Sequence, residues 1–141
     1  MVNDIIDGIS IKLNEEFGDS YTIYSEEVDQ DFTEKSFFID VLNPLIQQYV
    51  GDRHLRIHPF DIRFYPIENN HMNAQICDVA DRLIQCLKYI TVNGDLVRGI
   101  NMSYNIVDDV LHFMVEYNII VNYEHNVEAM EDLKIDQRSK G

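Results

Sequence analysis

The chain has 141 residues, with 25 acidic side chains against 11 basic ones and a formal net charge of −14 at pH 7; 45% of its residues are apolar. That length and apolar share suit one domain with an ordinary core. So acidic a chain does not hold nucleic acid by neutralising phosphates, although it can border nucleic acid without sticking to it.

The first predicted element is an amphipathic helix, Asn3–Phe17. Ile5, Ile6, Ile9, Leu13 and Phe17 follow helical spacing, Asn3 can serve as N-cap, and Gly18 is a natural stop. Tyr21–Tyr24 reads as a short strand and Glu26–Lys35 as a charged loop. A long hairpin follows, Ser36–Val50 and Arg53–Tyr65 around Gly51-Asp52. A two-residue turn there sets Val41 opposite Ile62 and Ile39 opposite Phe64. The apolar phase of the second arm slips between Leu55 and Ile57, at odd positions, and Phe60, Ile62 and Phe64, at even ones. Pro59 sits at the slip, opposite Pro44. Proline cannot donate to a ladder, so the hairpin is expected to bend or break there, with an outer half, Leu45–His58, that projects.

Asn70–Lys88 is predicted as the second helix, with Met72, Ile76, Val79, Ala80, Leu83, Ile84 and Leu87 as its apolar stripe. Tyr89–Val92 is a short strand and Asn93-Gly94-Asp95 a turn. The second hairpin has the clearest pattern in the chain. Ile100, Met102, Tyr104 and Ile106 alternate with polar residues, as do Leu111, Phe113, Val115 and Tyr117. With Asp108-Asp109 as a two-residue turn, Ile106 faces Leu111, Tyr104 faces Phe113, Met102 faces Val115 and Ile100 faces Tyr117. Asn105, Ser103 and Asn101 then face His112, Met114 and Glu116. The fold class that follows is α+β, an antiparallel sheet of two long hairpins flanked by two main helices. The expected core is Ile6, Ile9, Leu13, Ile39, Val41, Ile62, Phe64, Val79, Leu83, Tyr104, Phe113 and Val115. Residues 1–123 form the predicted domain, and 124–141 an acidic C-terminal tail too polar to order itself.

Residues with chemistry are few. Cys77 and Cys86 lie half a turn apart on the predicted helix, so they cannot bridge within it. With no CxxC, this fits a reducing compartment. Neither cysteine has a histidine at a recognisable spacing. His54, Arg56 and His58 share one strand face, where the arginine opposes a metal, so they read as wet surface residues. His112 is placed on a polar face opposite Asn105. There is no GxSxG, P-loop or GxGxxG. Nothing nominates an enzyme, a metal or a cofactor. No signal peptide or membrane-length apolar run appears, which points to cytoplasmic synthesis.

Several segments together resemble a tail terminator family of phages of Gram-positive bacteria. They are Asn3-Asp4-Ile5-Ile6-Asp7-Gly8-Ile9, Tyr21-Thr22-Ile23-Tyr24-Ser25-Glu26-Glu27-Val28, Phe37-Phe38-Ile39 with Leu42-Asn43-Pro44, Pro59-Phe60-Asp61-Ile62 with Phe64-Tyr65-Pro66, and Val107-Asp108-Asp109-Val110-Leu111-His112-Phe113. Asp109 departs from the glycine expected in that turn. The resemblance implies a ring, usually of six copies, on the head-proximal end of a phage tail or headless tail-like bacteriocin. Such a ring halts tube polymerisation and offers a surface to the head or its connector. It implies as partners the tail tube protein, with sheath or head connector, and DNA that passes without specific binding. The alternatives are a head–tail connector or neck protein, and a stand-alone α+β ligand-binding module or enzyme.

Within that reading, the outer hairpin is the expected subunit-contact arm, because Leu45, Ile46, Tyr49, Val50, Leu55 and Ile57 are more apolar surface than a free loop exposes. Glu26, Glu27, Asp29 and Asp31 cluster in one loop and are the expected lining of an acidic lumen, where like charge keeps DNA from adhering. Val127, Met130, Leu133 and Ile135 follow a weak helical spacing in the tail. Met130 and Leu133 are its expected anchors on a neighbouring subunit or on the next tail component.

Overall fold

In the computed structural model, residues 1–25 and 35–122 are described. Helix α1 spans Val2–Phe17 and buries Ile5, Gly8, Ile9, Leu13 and Phe17. The fourfold spacing of the large residues gives one apolar stripe. Gly18 ends the helix at φ 87°. Asn3 is not the N-cap. The helix begins one residue earlier, after Met1, and the α-amino group lies 3.4 Å from Asp4 Oδ2. Helix α2 spans Met72–Cys86 and buries Ile76, Val79, Ala80 and Leu83, while Ile84 is exposed.

The strands are β1 (Thr22–Tyr24), β2 (Ser36–Val41), β3 (Leu45–Gln48), β4 (Arg53–Tyr65), β5 (Tyr89–Val92), β6 (Asp95–Val107) and β7 (Val110–Asn122). They form a curled, mostly antiparallel sheet in the order β1-β2-β4-β7-β6-β5, with β3 also paired to β4. β1 pairs with β2 in parallel. Two helices on such a sheet make the α+β class expected from the periodicity. The described residues divide into two compact units, 1–25 and 35–43 with 58–117, and 44–57 with 118–122.

In the first unit, one sheet face is apolar. Phe37 and Ile39 from β2, Phe60, Ile62 and Phe64 from β4, and Leu111, Phe113, Val115 and Tyr117 from β7 are all buried. Phe17, Tyr21, Phe37 and Phe64 stack as tilted rings, with Phe17 and Phe37 centroids 4.8 Å apart and Phe37 and Phe64 5.2 Å apart. This arrangement adds ring–ring attraction to burial. The Tyr117 hydroxyl donates to the Leu87 carbonyl at 2.7 Å, which satisfies an acceptor at the end of α2.

The Asp108-Asp109 turn is as predicted. Both residues are left-handed, at φ 51° and 62°, which is the type I′ geometry whose twist matches the strands. The predicted register holds from Val107 opposite Val110 to Ser103 opposite Met114. It then shifts by one, so that Ile100 faces Glu116 rather than Tyr117, and Gly99 faces Tyr117. Asn101, at φ 54°, sits in this bulge and donates from its side chain to Glu116 Oε1 at 3.0 Å.

The first hairpin departs further. Ile39 faces Ile62 and Val41 faces Phe60, two residues from the predicted pairing. Two residues preserve the face, so the inner phenylalanines still point to the core. The turn holds three residues, 50–52, closed by Tyr49 N–H donating to the Arg53 carbonyl at 2.9 Å. Across residues 42–44 the register changes by one, to Leu45 opposite Ile57. β4 itself runs unbroken through Pro59, so the break lies on the Pro44 side alone.

Two expected core residues are exposed, Val41 at 39% and Tyr104 at 43%, and Ile6 is half-buried. Val41 ends its strand, and Tyr104 lies on β6 while its partner Phe113 on β7 is fully buried. Alternation assigns a side chain to a face; it does not say how far the covering layer extends.

Candidate assembly surfaces

In the second unit, β3 and the Arg53–Ile57 end of β4 form a two-stranded ribbon. Leu45, Ile46, Gln47 and Gln48 pair with Ile57, Arg56, Leu55 and His54. All four β3 side chains are exposed. Leu45 and Ile46 are 51% and 52% exposed, and Tyr49 and Val50 at the turn are 49% and 64% exposed. Leu55 and Ile57 are half-buried. Gln48 donates to the Gly51 carbonyl at 3.2 Å, and the Arg53 guanidinium lies 6.0 Å from the Tyr49 ring centroid. The ribbon is therefore ordered by backbone pairing, while Leu45, Ile46, Tyr49 and Val50 stay outside. Isolated exposed leucines are ordinary, but four exposed large apolar residues within six positions are a concentration of apolar surface on the ribbon.

A second apolar stretch lies on β6 in the first unit. Tyr104, Ile106 and Val107 are 43%, 40% and 48% exposed. β5 pairs with β6 only over residues 95–98. Over residues 103–107, β6 has β7 on one side and no strand on the other among the described residues.

The sheet face away from the aromatic core carries a polar network that no local sequence pattern indicates. Arg63 of β4 donates to Asp40 Oδ2 of β2 at 2.8 Å and to Asp61 Oδ2 at 3.4 Å. His112 Nδ1 of β7 lies 2.9 Å from the same Asp61 oxygen. Burial alone would lower the Arg63 pKa, but its bonds to Tyr65 and Asp61 and the charge of Asp40 outweigh that and raise it. Arg63 therefore stays a fixed cation between two carboxylates, and the network ties three strands together. His112 does stand opposite Asn105 as predicted, but its ring reaches β4 instead. His58, expected to be wet, is 1% exposed on the same strand parity as Phe60.

Between the helices, Arg82 donates to Glu16 Oε2 at 2.9 Å and to the Glu16 carbonyl at 2.8 Å, and it lies 4.3 Å over the Phe17 ring. Beside them is an open depression of about 280 Å³ lined by Lys12, Glu15, Glu16, Gln85, Cys86, Lys88 and Tyr89. Burial, with the charge of Glu16, pushes the Cys86 thiol up to about 12. Cys86 is thus a protonated thiol at neutral pH and a poor nucleophile. Among the described residues, no group of three or more His, Cys, Asp or Glu side chains could hold a metal ion. No helix among them is long and apolar enough to cross a membrane.

Of the residues singled out from sequence, the structure brings Leu45, Ile46, Tyr49 and Val50 together on one exposed ribbon, flanked by Leu55 and Ile57. Glu26, Glu27, Asp29 and Asp31, and Met130 and Leu133, lie outside the described residues. No curated protein matches the chain. One solved structure is 13% identical, covering 80% of this chain and 92% of its own, with a TM-score of 0.35, too distant to bear on fold or function. The family model described as phage tail terminator protein matches residues 4–129, nearly the whole chain. The chain therefore belongs to the phage tail terminator family, whose members are structural proteins of the phage tail.

Proposed function

We propose that the protein assembles into a closed ring, of six copies, at the head-proximal end of a phage tail. There it stops polymerisation of the tube and offers a docking face to the head or its connector. The observation that carries this reading is the exposed ribbon in a chain of net charge −14. Copies this acidic repel one another, so a self-associating ring needs an apolar contact to overcome that repulsion. The ribbon is such a contact, through Leu45, Ile46, Tyr49 and Val50, with Leu55 and Ile57 behind them. Membership in the tail terminator family supports the placement on a tail.

In this reading, residues 1–123 are the ring-forming domain and 124–141 a tail that docks on a neighbour through Met130 and Leu133. Glu26, Glu27, Asp29 and Asp31 line the opening, where their charge lets DNA pass without specific binding. The ring contacts the tail tube protein, with sheath or head connector, and assembles in the bacterial cytoplasm. No catalytic step or cofactor is assigned to it. Cryo-electron microscopy of the head-proximal end of tails tests this. The reading requires a closed ring of this fold there, six-fold and with an acidic opening. Finding the chain elsewhere on the tail, or as single copies, would contradict it.

A further inference from the structure

We infer that the ribbon of one copy docks on strand β6 and the β6–β7 turn of the next copy, so that the ring closes through two different surfaces of the same chain. The inference rests on the ring reading above. A closed ring of more than two copies is built from heterologous contacts, in which each chain supplies two unlike patches. Among the described residues, exposed large apolar side chains group at residues 45–50 and at residues 104–107. The second group borders a strand edge that carries no neighbour among the described residues. Such an edge presents unmet backbone donors and acceptors, a ready template for an added strand.

Charge favours this pairing over either patch meeting itself. The ribbon and its turn, residues 44–57, hold Arg53 and Arg56 against Asp52, a cationic stretch in a strongly acidic chain. The β6–β7 turn holds Asp108 and Asp109. Among the described residues, none of Arg53, Asp108 and Asp109 forms an ion pair within the chain. Ribbon on ribbon would place arginines against arginines, and turn on turn aspartates against aspartates. Ribbon on turn places opposite charges together around an apolar centre. A specific contact buries about 800 Å² on each partner, with the ribbon of one copy and the β6 edge of the next as its apolar centre.

A mixing experiment on the full chain tests the inference. One variant disables the ribbon, Ile46→Asp with Tyr49→Asp. A second disables the acceptor, Ile106→Asp with Val107→Asp. A third, Asp108→Asn with Asp109→Gly, removes the acceptor charge while giving the type I′ turn its preferred residues, so it keeps the hairpin. Native mass spectrometry should show the wild type as a ring and the first two variants as monomers. The third should dissociate at least tenfold more readily than the wild type. Mixing the first two variants should give heterodimers and nothing larger, because each pair retains a single intact contact. Monomers alone in that mixture, or a ring from the second variant by itself, would overturn the inference while leaving the ring reading intact. A monomeric wild type would instead overturn the ring reading.

Discussion

Replacing Gly8 with alanine should destabilise the protein, against the rule for helices. Gly8 lies inside α1, where alanine is worth about 1 kcal/mol more than glycine in an exposed helix. Gly8 is buried, however, and a Cβ built on it would lie 2.7 Å from the Thr91 carbonyl oxygen, with Ile90 side-chain atoms at 3.4 and 3.5 Å. The obstacle at 2.7 Å is backbone of β5, which cannot turn aside as a flexible side chain would. Relief requires α1 to lift away from β5, and Ile5, Ile9 and Leu13 on the same stripe would lift with it. Overpacking of this kind costs roughly 1–3 kcal/mol, and loosened contacts along the stripe put this case at the upper end. After subtracting the helix preference, the net loss is about 1–2 kcal/mol. Urea unfolding at 25 °C, followed by far-ultraviolet circular dichroism, reads it directly. Asn14→Ala, at an exposed site of the same helix, is the control and should be neutral or slightly stabilising. A Gly8→Ala protein as stable as the wild type would refute the close approach of α1 to β5.

Tyr117→Phe should cost about 1–2 kcal/mol at pH 7, because the Leu87 carbonyl loses its 2.7 Å donor. Alkaline pH should destabilise the wild type. Burial raises the Cys86 thiol to about 12 and raises the Tyr117 phenol further, from ordinary values of 9.0 and 10.0. The unfolded chain ionises at the ordinary values and the folded chain does not. Stability should therefore be level below about pH 9 and fall above it, by at most about 1.4 kcal/mol per pH unit for each group. Urea midpoints from pH 7 to 10.5 measure this, and Tyr117→Phe should show a shallower fall above pH 10. An unchanged slope would contradict the burial of that phenol. Iodoacetamide at pH 8 should modify exposed Cys77 at least tenfold faster than Cys86, as read by peptide mass; equal rates would contradict the assignment of Cys86 as a half-buried, protonated thiol.

Where sequence reading worked, a local rule fixed the outcome. Two aspartates bounded by alternating residues specify a type I′ turn, and the turn sets the register down to Ser103. The rule failed where one residue changed the count without changing the pattern. Asn101 enters a bulge, and Val50 joins the first turn, yet alternation on either side looks the same. The phase slip beside Pro59 was legible because it left Leu55 and Ile57 at the wrong parity. The one-residue register change on the partner strand, across residues 42–44, left no such mark. The ribbon was legible as excess apolar surface beyond two prolines. Asp40, Asp61, Arg63 and His112 were not legible as a group, because β2, β4 and β7 bring together residues up to 72 positions apart that share no motif. The same holds for the edge of β6: periodicity places Tyr104 and Ile106 on the core side, but only the extent of β5 leaves that edge without a strand among the described residues.

If this chain ends tail growth, tail length measures it most directly. Particles from a phage deleted for this protein should be imaged by negative-stain electron microscopy beside the complemented strain. Tails lacking the protein should run well past the normal length without attached heads, and return to one sharp length on complementation. Tails of normal length that lack heads would contradict termination and mark the protein as a connector.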